Sequence, residues 1–420
     1  MRATPAHRGS RGFSIIELMV AMLIGLIGII IIFQVFEVSE GIKRTSTSGG
    51  DAQQNGAIAL YAMERDLRSA GSGFNDTPSV GCTILGYDSS RTTNNFTLTL
   101  APVLVTSAGP GGPDSVSVFY ASKPLVGDAT PLNAPAAVGS TSVQVSSAYG
   151  YGPGDLVILN YPAQVPAVNC QLRELSNVAG IVLIHRDAGQ TYLSVSGTTR
   201  TVRFNQPGGL TVAYGGAGTS ARVIDLGNLY EPVGNPTVPV YNTYAIVNNA
   251  LTVTSPFVVA GGAPVVNTIA DNIVQLRVAY GLDDGVNNGS VSIGAGYTAC
   301  DGIVDRFVDA ATFNAIAALP VCPTALQTKW QLLIAMRVAV VARSALAEKP
   351  TGINGTNCDA TTDGTEGVSV PDQRPTWTGG IIDVSASGDP SATSLLNWKC
   401  YRYKVFETTV PLRNWIWRSS

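Results

Sequence analysis

The chain has 420 residues, of which 45% are hydrophobic and only 13% charged, with a formal net charge of −3. So much apolar material with so little net charge excludes a disordered chain. No basic stripe runs along it, so there is no electrostatic footprint for nucleic acid.

The first 12 residues contain Arg2, Arg8 and Arg11 and no acidic residue. From Phe13 to Phe36 the sequence reads FSIIELMVAMLIGLIGIIIIFQVF. As a helix this run spans about 36 Å, enough for a hydrocarbon core of about 30 Å. The basic flank predicts that the N-terminal end stays cytoplasmic and the bulk of the chain lies outside. An ordinary signal peptide has a shorter apolar core followed by a small-residue cleavage site. Here the small residue, Gly12, precedes the run, and the run passes straight into EVSEGIKRTSTSGG. Glu17 sits inside the apolar segment, where a carboxylate costs about 2.5–3.5 kcal/mol and so needs a partner and a purpose. Gly25 and Gly28 are ordinary for a membrane helix.

Beyond the polar, glycine-broken stretch Thr45 to Gly50, the helix is expected to resume with Asp51 as its N-cap. Ala52, Gly56, Ala59, Met63, Leu67 and Ala70 recur at three- and four-residue spacing and predict one apolar face. Gly71 and Gly73 end the helix, and Glu64, Arg65, Asp66 and Arg68 read as its solvated face.

After Gly71 the period changes to two. The 45 glycines and 24 prolines, with Ser, Thr, Val and Asn crowded after position 75, point to short strands joined by many turns. Strands are expected over Phe96–Leu100, Ser115–Tyr120, Ser142–Ser146, Leu156–Asn160, Gly180–His185, Thr191–Val195, Leu210–Tyr214 and Ala221–Leu226. Thr243–Val247 and Leu251–Thr254, split by Asn248-Asn249-Ala250, read as a hairpin. Ile273–Tyr280 places Val274, Leu276, Val278 and Tyr280 on one face. Leu332–Val341 is apolar on both faces except Arg337, as a central strand would be, and Tyr401–Leu412 closes the sheet. The segments Gly109–Pro113 and Cys358–Pro390 read as loops.

The six cysteines, Cys82, Cys170, Cys300, Cys322, Cys358 and Cys400, form no C-x-x-C pair. Behind a membrane-targeting N-terminus they read as three disulfides. Proximity in sequence favours Cys300–Cys322, Cys358–Cys400 and Cys82–Cys170, among 15 pairings that six cysteines allow.

The segment Arg11-Gly12-Phe13-Ser14-Ile15-Ile16-Glu17-Leu18 closely resembles the class III signal of type IV prepilins. The resemblance implies cleavage between Gly12 and Phe13 by a prepilin peptidase, which also N-methylates Phe13. It further implies an assembly role for Glu17, paired with the amine of a neighbouring subunit. Gln54-Asn55-Gly56 to Gly71, the segment Asn272–Asp283, the strand Leu332–Ser344 and the ending Phe406–Asn414 resemble PilW-like minor pilins. That likeness covers both ends and the last third of the chain.

The fold class expected is α+β: a long N-terminal transmembrane pilin helix packed on an antiparallel β-sheet, with an enlarged β-rich globular head. The divisions are a leader at 1–12, the transmembrane half-helix at 13–36 and its amphipathic second half at 37–71. A β-rich region or insertion follows at 72–265, and the C-terminal part of the pilin-like head at 266–420. The function implied is a minor pilin that primes or caps a type IV pilus, serving pilus biogenesis, adhesion and twitching motility. Its partners are the prepilin peptidase and methyltransferase, other minor pilins, the major pilin and the inner membrane. The chain would cross that membrane once with its head in the periplasm, then reside in the pilus or at its tip. The alternatives are a type II secretion pseudopilin, or a tip adhesin binding through the middle β-region.

Catalysis and cofactors find little support. His185 is the only histidine after the leader, and no G-x-S-x-G, phosphate loop or dinucleotide fingerprint occurs. Asp283, Asp284, Asp301 and Asp305 are the only weak candidates for a metal, as an irregular Ca²⁺ loop. Counted from Asp284, Val286 and Ala295 occupy positions where an EF-hand needs acidic ligands. The aromatic C-terminus, Trp398, Tyr401, Tyr403, Phe406, Trp415 and Trp417, reads equally as core or as a contact patch.

Overall fold

The computed structural model describes residues 14–73, 77–109, 111–123, 129–162, 170–234, 236–286, 299–317, 319, 328–348, 358–365, 370–387 and 397–416. Gly12, Phe13, Cys322 and Trp417 lie outside them, as does the side chain of Trp415.

One α-helix runs unbroken from Ile15 to Ser69, 55 residues, or about 82 Å. The expected break at Thr45–Gly50 does not occur, and Asp51 lies inside the helix rather than capping it. A glycine in a helix interior costs only about 1 kcal/mol, and the burial that follows offsets it. The helix ends where expected: Gly71 takes φ +78° and its N–H donates to the Phe119 carbonyl at 2.9 Å.

The anticipated stripe is buried, with Ala59, Met63, Leu67 and Ala70 fully enclosed. It faces a four-stranded antiparallel sheet ordered Arg306–Val308, Ile273–Leu282, Leu333–Arg343, Tyr403–Pro411. Met336, Val338, Val340 and Ala342 of the third strand point into the core shared with the helix. Its alternate residues Ala339 and Val341 enter a second cluster with Ile382, Val384, Trp377, Trp398, Tyr403 and Val405. Burial on both faces is why this strand lacks polar alternation. Gly56 is needed for close approach, because a Cβ there would lie 2.1 Å from the Phe406 ring.

A β-bulge between Ile273 and Gln275 corrects the expected face of Ile273–Leu282. The inserted residue reverses the alternation, so Val274 joins the outer cluster while Leu276, Val278 and Tyr280 enter the main core.

Beside this sheet stands a five-stranded one, ordered Ala263–Asp271, Ala250–Ala260, Val240–Val247, Ser115–Tyr120, Val103–Thr106. Val247 pairs with Ala250 across Asn248 and Asn249, which take φ +51° and +59°. Two positive φ values are what a two-residue hairpin turn requires. A division at 265/266 passes through the strand Ala263–Asp271.

The middle of the chain builds a six-stranded sheet ordered Asn95–Thr99, Thr83–Tyr87, Cys170–Glu174, Asp155–Asn160, Arg222–Asn228, Thr130–Pro131. All its pairs are antiparallel except Thr83–Tyr87 with Cys170–Glu174. Leu156 and Ile158 face the main core, and Val157 and Leu159 face a separate cluster with Leu183, Leu210 and Tyr214. The middle region therefore shares a core with the helix and the C-terminal sheet. Leu210–Tyr214 is not a strand: it buries Leu210 and Tyr214, but it pairs in β fashion only at Ala136↔Tyr214. The segment opposite it is irregular, so alternation there reports burial without a ladder.

Asp66 corrects the reading of the helix's polar face. Its side chain is 1% exposed and accepts from Asn242 Nδ2 at 2.6 Å, Tyr244 OH at 2.7 Å and Tyr120 OH at 3.3 Å. Glu64, Arg65 and Arg68 stay outside, with Arg68 paired to Glu64. Burial, followed by the Asp66 charge, pushes the Tyr120 phenol up to about 12 and the Tyr244 phenol higher still. Asp66 thus pins the helix to two strands of the five-stranded sheet.

His185 is also buried. Its backbone N–H donates to the Thr141 carbonyl at 2.8 Å, and among the described residues neither ring nitrogen has a hydrogen-bond partner. Burial, aided by the nearby Arg173 charge, lowers its pKa to about 3, which keeps it neutral near neutral pH.

Two expectations follow. Asp66→Ala takes the acceptor from buried Tyr244 and from half-buried Asn242 and Tyr120 and should cost about 1.5–3 kcal/mol, read by denaturant unfolding of the full chain in detergent. Arg65→Ala, which removes only the exposed guanidinium 3.5 Å from Asp66 Oδ1, should cost less, at most about 1 kcal/mol. The second concerns pH. Below the ordinary histidine value near 6.5 the unfolded chain binds a proton that folded His185 refuses, so the contribution of His185 to stability falls as pH falls from about 6.5 toward 3. Asp225, raised by burial, contributes with the opposite sign over much of that window, so the His185 part is read as the difference in slope between wild type and His185→Gln, about 1.4 kcal/mol per pH unit.

Candidate functional site

The part of the molecule built for contact is the N-terminal half of the helix. Its first turn is closed by Ser14, whose Oγ accepts from the Ile16 N–H at 3.3 Å, while the Glu17 carboxylate accepts from the Ser14 N–H at 3.4 Å. This reciprocal capping box satisfies two donors that a helix start leaves open. Glu17 itself is exposed.

From Ile15 to Ile42 large apolar side chains project all around the helix, among them Leu18, Leu23, Ile27, Ile31 and Phe33, each at least half exposed. A helix apolar on every side is stable only in lipid or packed among other helices. Length and composition suffice to cross a membrane. Among the side chains described, burial begins at Ser48 and Ala52. Ser48 lines a groove of 1040 Å³ between the helix and the end of the C-terminal sheet, together with Glu37, Glu40, Glu348 and Arg402. Arg402 and Glu348 pair across its rim.

The four candidate metal carboxylates have other occupations. Asp283 accepts from the N–H groups of Cys300, Asp301 (3.3 Å) and Gly302 (2.7 Å), bonds that partly offset the rise in its pKa caused by burial. Asp284 holds Arg306 through two nitrogens, at 2.9 and 2.6 Å. Asp305 accepts from the Gly285 N–H at 2.6 Å, and Asp301 from the Ile303 N–H at 2.9 Å. Among the described residues no three acidic, histidine or cysteine side chains converge as metal ligands do.

Cys82 is joined to Cys170, and Cys358 to Cys400; Cys300 is also disulfide-bonded, and Cys322 lies outside the described residues. Cys82–Cys170 bridges the start of the parallel strand pair Thr83–Tyr87 with Cys170–Glu174, where Ile84 faces Cys170. The aromatic C-terminus is largely core. Trp398 and Tyr403 pack in the outer cluster, Tyr401 is buried, and Phe406 lies against Gly56.

The helix contacts Tyr403–Pro411, Leu333–Arg343 and Ala263–Asp271 along its buried half. The Asp66 anchorage had no sequence signal, since its partners lie 54 to 178 positions away. Aspartate in a charged run resembles a solvated face until the tyrosines opposite it are known.

Comparison with known proteins agrees with this layout. Residues 242–414 match the family Type IV pilus-assembly protein W, the part of the chain that supplies the four-stranded sheet and three strands of the five-stranded one, Val240–Val247 all but its first two residues. Residues 7–33 match the prokaryotic N-terminal methylation motif. No curated relative and no solved structure matches the chain. That motif stands at the start of an exposed apolar helix, and that family's region, 173 of the 420 residues, lies in the sheets supporting it, so in both parts the chain is similar to pilus-assembly proteins of the PilW type.

Proposed function

We propose that this chain is a minor pilin that primes or caps the filament. It is cut between Gly12 and Phe13, methylated on Phe13, held in the inner membrane by its apolar helix, and then drawn into a complex with other minor pilins. The observation that carries the reading is the single helix Ile15–Ser69, apolar and uncovered at one end and clamped into the head at the other. Such a helix can leave lipid for a bundle of like helices without disturbing the head.

Within that bundle Glu17 is the one acid among apolar neighbours, and a buried carboxylate needs a cation. The terminal amine of an adjacent subunit's Phe13 supplies it, sets the axial register between subunits, and stays charged when methylated. The head is large, with the whole six-stranded sheet lying outside the region that matches the family. That bulk suits an end of the filament better than every position along a thin shaft. The basic leader favours a periplasmic head before assembly.

Two measurements test this. Glu17→Gln should be processed normally yet fail to assemble; pili of normal abundance containing the uncharged variant would overturn the amine pairing. Deleting the gene should remove sheared surface pili, and complementation should restore them. Unchanged piliation would exclude priming and leave a dispensable tip subunit or a type II secretion pseudopilin.

A further inference from the structure

Lys123 follows the strand Ser115–Tyr120 of the five-stranded sheet and reaches into the six-stranded one. Its Nζ lies 2.5 Å from Asp155 Oδ2 and 2.9 Å from Asp225 Oδ2. Both carboxylate side chains are 0% exposed and the lysine only 14%. The site is held from every side. Asp155 also accepts from Asn228 Nδ2 at 2.7 Å and the Gly152 N–H at 2.6 Å. Asp225 Oδ1 accepts from the Gly227 N–H at 3.0 Å.

One cation cannot neutralise two carboxylates, and an uncompensated charge at this depth is costly. Burial, and then the charge of Asp155, raise Asp225 to about 7, so near neutral pH its protonated form is populated. The site therefore assembles an ammonium, a carboxyl group that can hold a proton and a second carboxylate in contact with the ammonium.

We propose that Lys123 and Asp225 condense to an intramolecular amide, with Asp155 as the proton carrier. Asp155 takes a proton from the Lys123 ammonium, and the freed Nζ attacks Cγ of protonated Asp225. Asp155 returns that proton to the departing hydroxyl, which leaves as water, and accepts the proton shed by the nitrogen. One C–N bond forms, one C–O bond breaks, one water is released, and Asp155 ends with one proton; no oxidant or cofactor is consumed. Fixing the reacting groups in contact, out of bulk water, supplies the advantage that free amine and acid lack.

The amide joins positions 102 residues apart and ties the five-stranded sheet to the six-stranded one. Because Asp66 fastens the helix to that same five-stranded sheet, the bond would lie between the helix and the middle region when the subunit is pulled.

The test is mass spectrometry of the reduced, trypsin-digested full-length mature protein. Trypsin spares the Lys123-Pro124 bond, so Lys123 and Asp155 fall in peptide 92–173 and Asp225 in peptide 223–277. The expected result is these two peptides covalently joined, lighter than their sum by one water. Two separate peptides at their sequence masses would overturn the proposal and leave an ion pair. A lone 92–173 peptide lacking one water would overturn the assignment to Asp225 in favour of Asp155. Lys123→Arg keeps the charge but cannot form the bond, so the joined species should vanish; its persistence would also overturn the proposal. Asp155→Asn keeps both reacting groups and should strongly reduce the joined fraction at unchanged circular dichroism; an undiminished fraction would remove Asp155 from the proton transfer.

Discussion

The molecule depends on one seam, where the second half of a rigid helix lies on a sheet it cannot leave. Met63 and Leu67 are fully enclosed there, and burying such side chains contributes about 1.5–3 kcal/mol each. Gly56 lets the Phe406 ring approach, and Asp66 fixes rotation about the axis through donors on two strands. Apolar burial is nondirectional, whereas a carboxylate gripped by Asn242, Tyr244 and Tyr120 is not. The seam thus defines both how strongly the helix is held and which way its exposed half faces.

The β layers are arranged to support that seam. Leu333–Arg343 is buried on both faces, one toward the helix and one toward the cluster around Ile382 and Val384. The six-stranded sheet likewise contributes Leu156 and Ile158 to the main core and Val157 and Leu159 to its own. Enlarging the head has therefore added a layer rather than a tethered domain. Disulfides across 88 and 42 residues reinforce that layer and the C-terminal part of the head respectively. By loop-closure entropy alone the longer constrains the unfolded chain more, by about 0.6 kcal/mol.

Several elements could be read in advance because their signals are local. The hairpin at Asn248-Asn249, the helix stop at Gly71 and the strand Ser115–Tyr120 each follow from residues a few positions apart. Readings failed where a distant partner decided. Polar residues with two glycines implied a break at Thr45–Gly50, yet the helix continues because its next turns are buried. Alternation at Leu210–Tyr214 implied a strand, yet its opposite segment offers no ladder. Val274 changed face because a bulge shifted the register.

By itself the sequence determined the class III signal, the length of the apolar helix, the placing of Glu17 and the stripe from Ala52 to Ala70. These are patterns in consecutive residues, set by helix rise, helix period and the cost of charge in lipid. Only the tertiary structure decided that Asp66 is an anchor and not a solvated acid, that His185 is sealed and neutral, and that Lys123 stands between two aspartates. In each case the chemistry of a side chain is set by groups 32 to 178 positions away or by burial among them. Hydrogen bonding and desolvation act through space, and no local pattern encodes which distant strand will lie opposite.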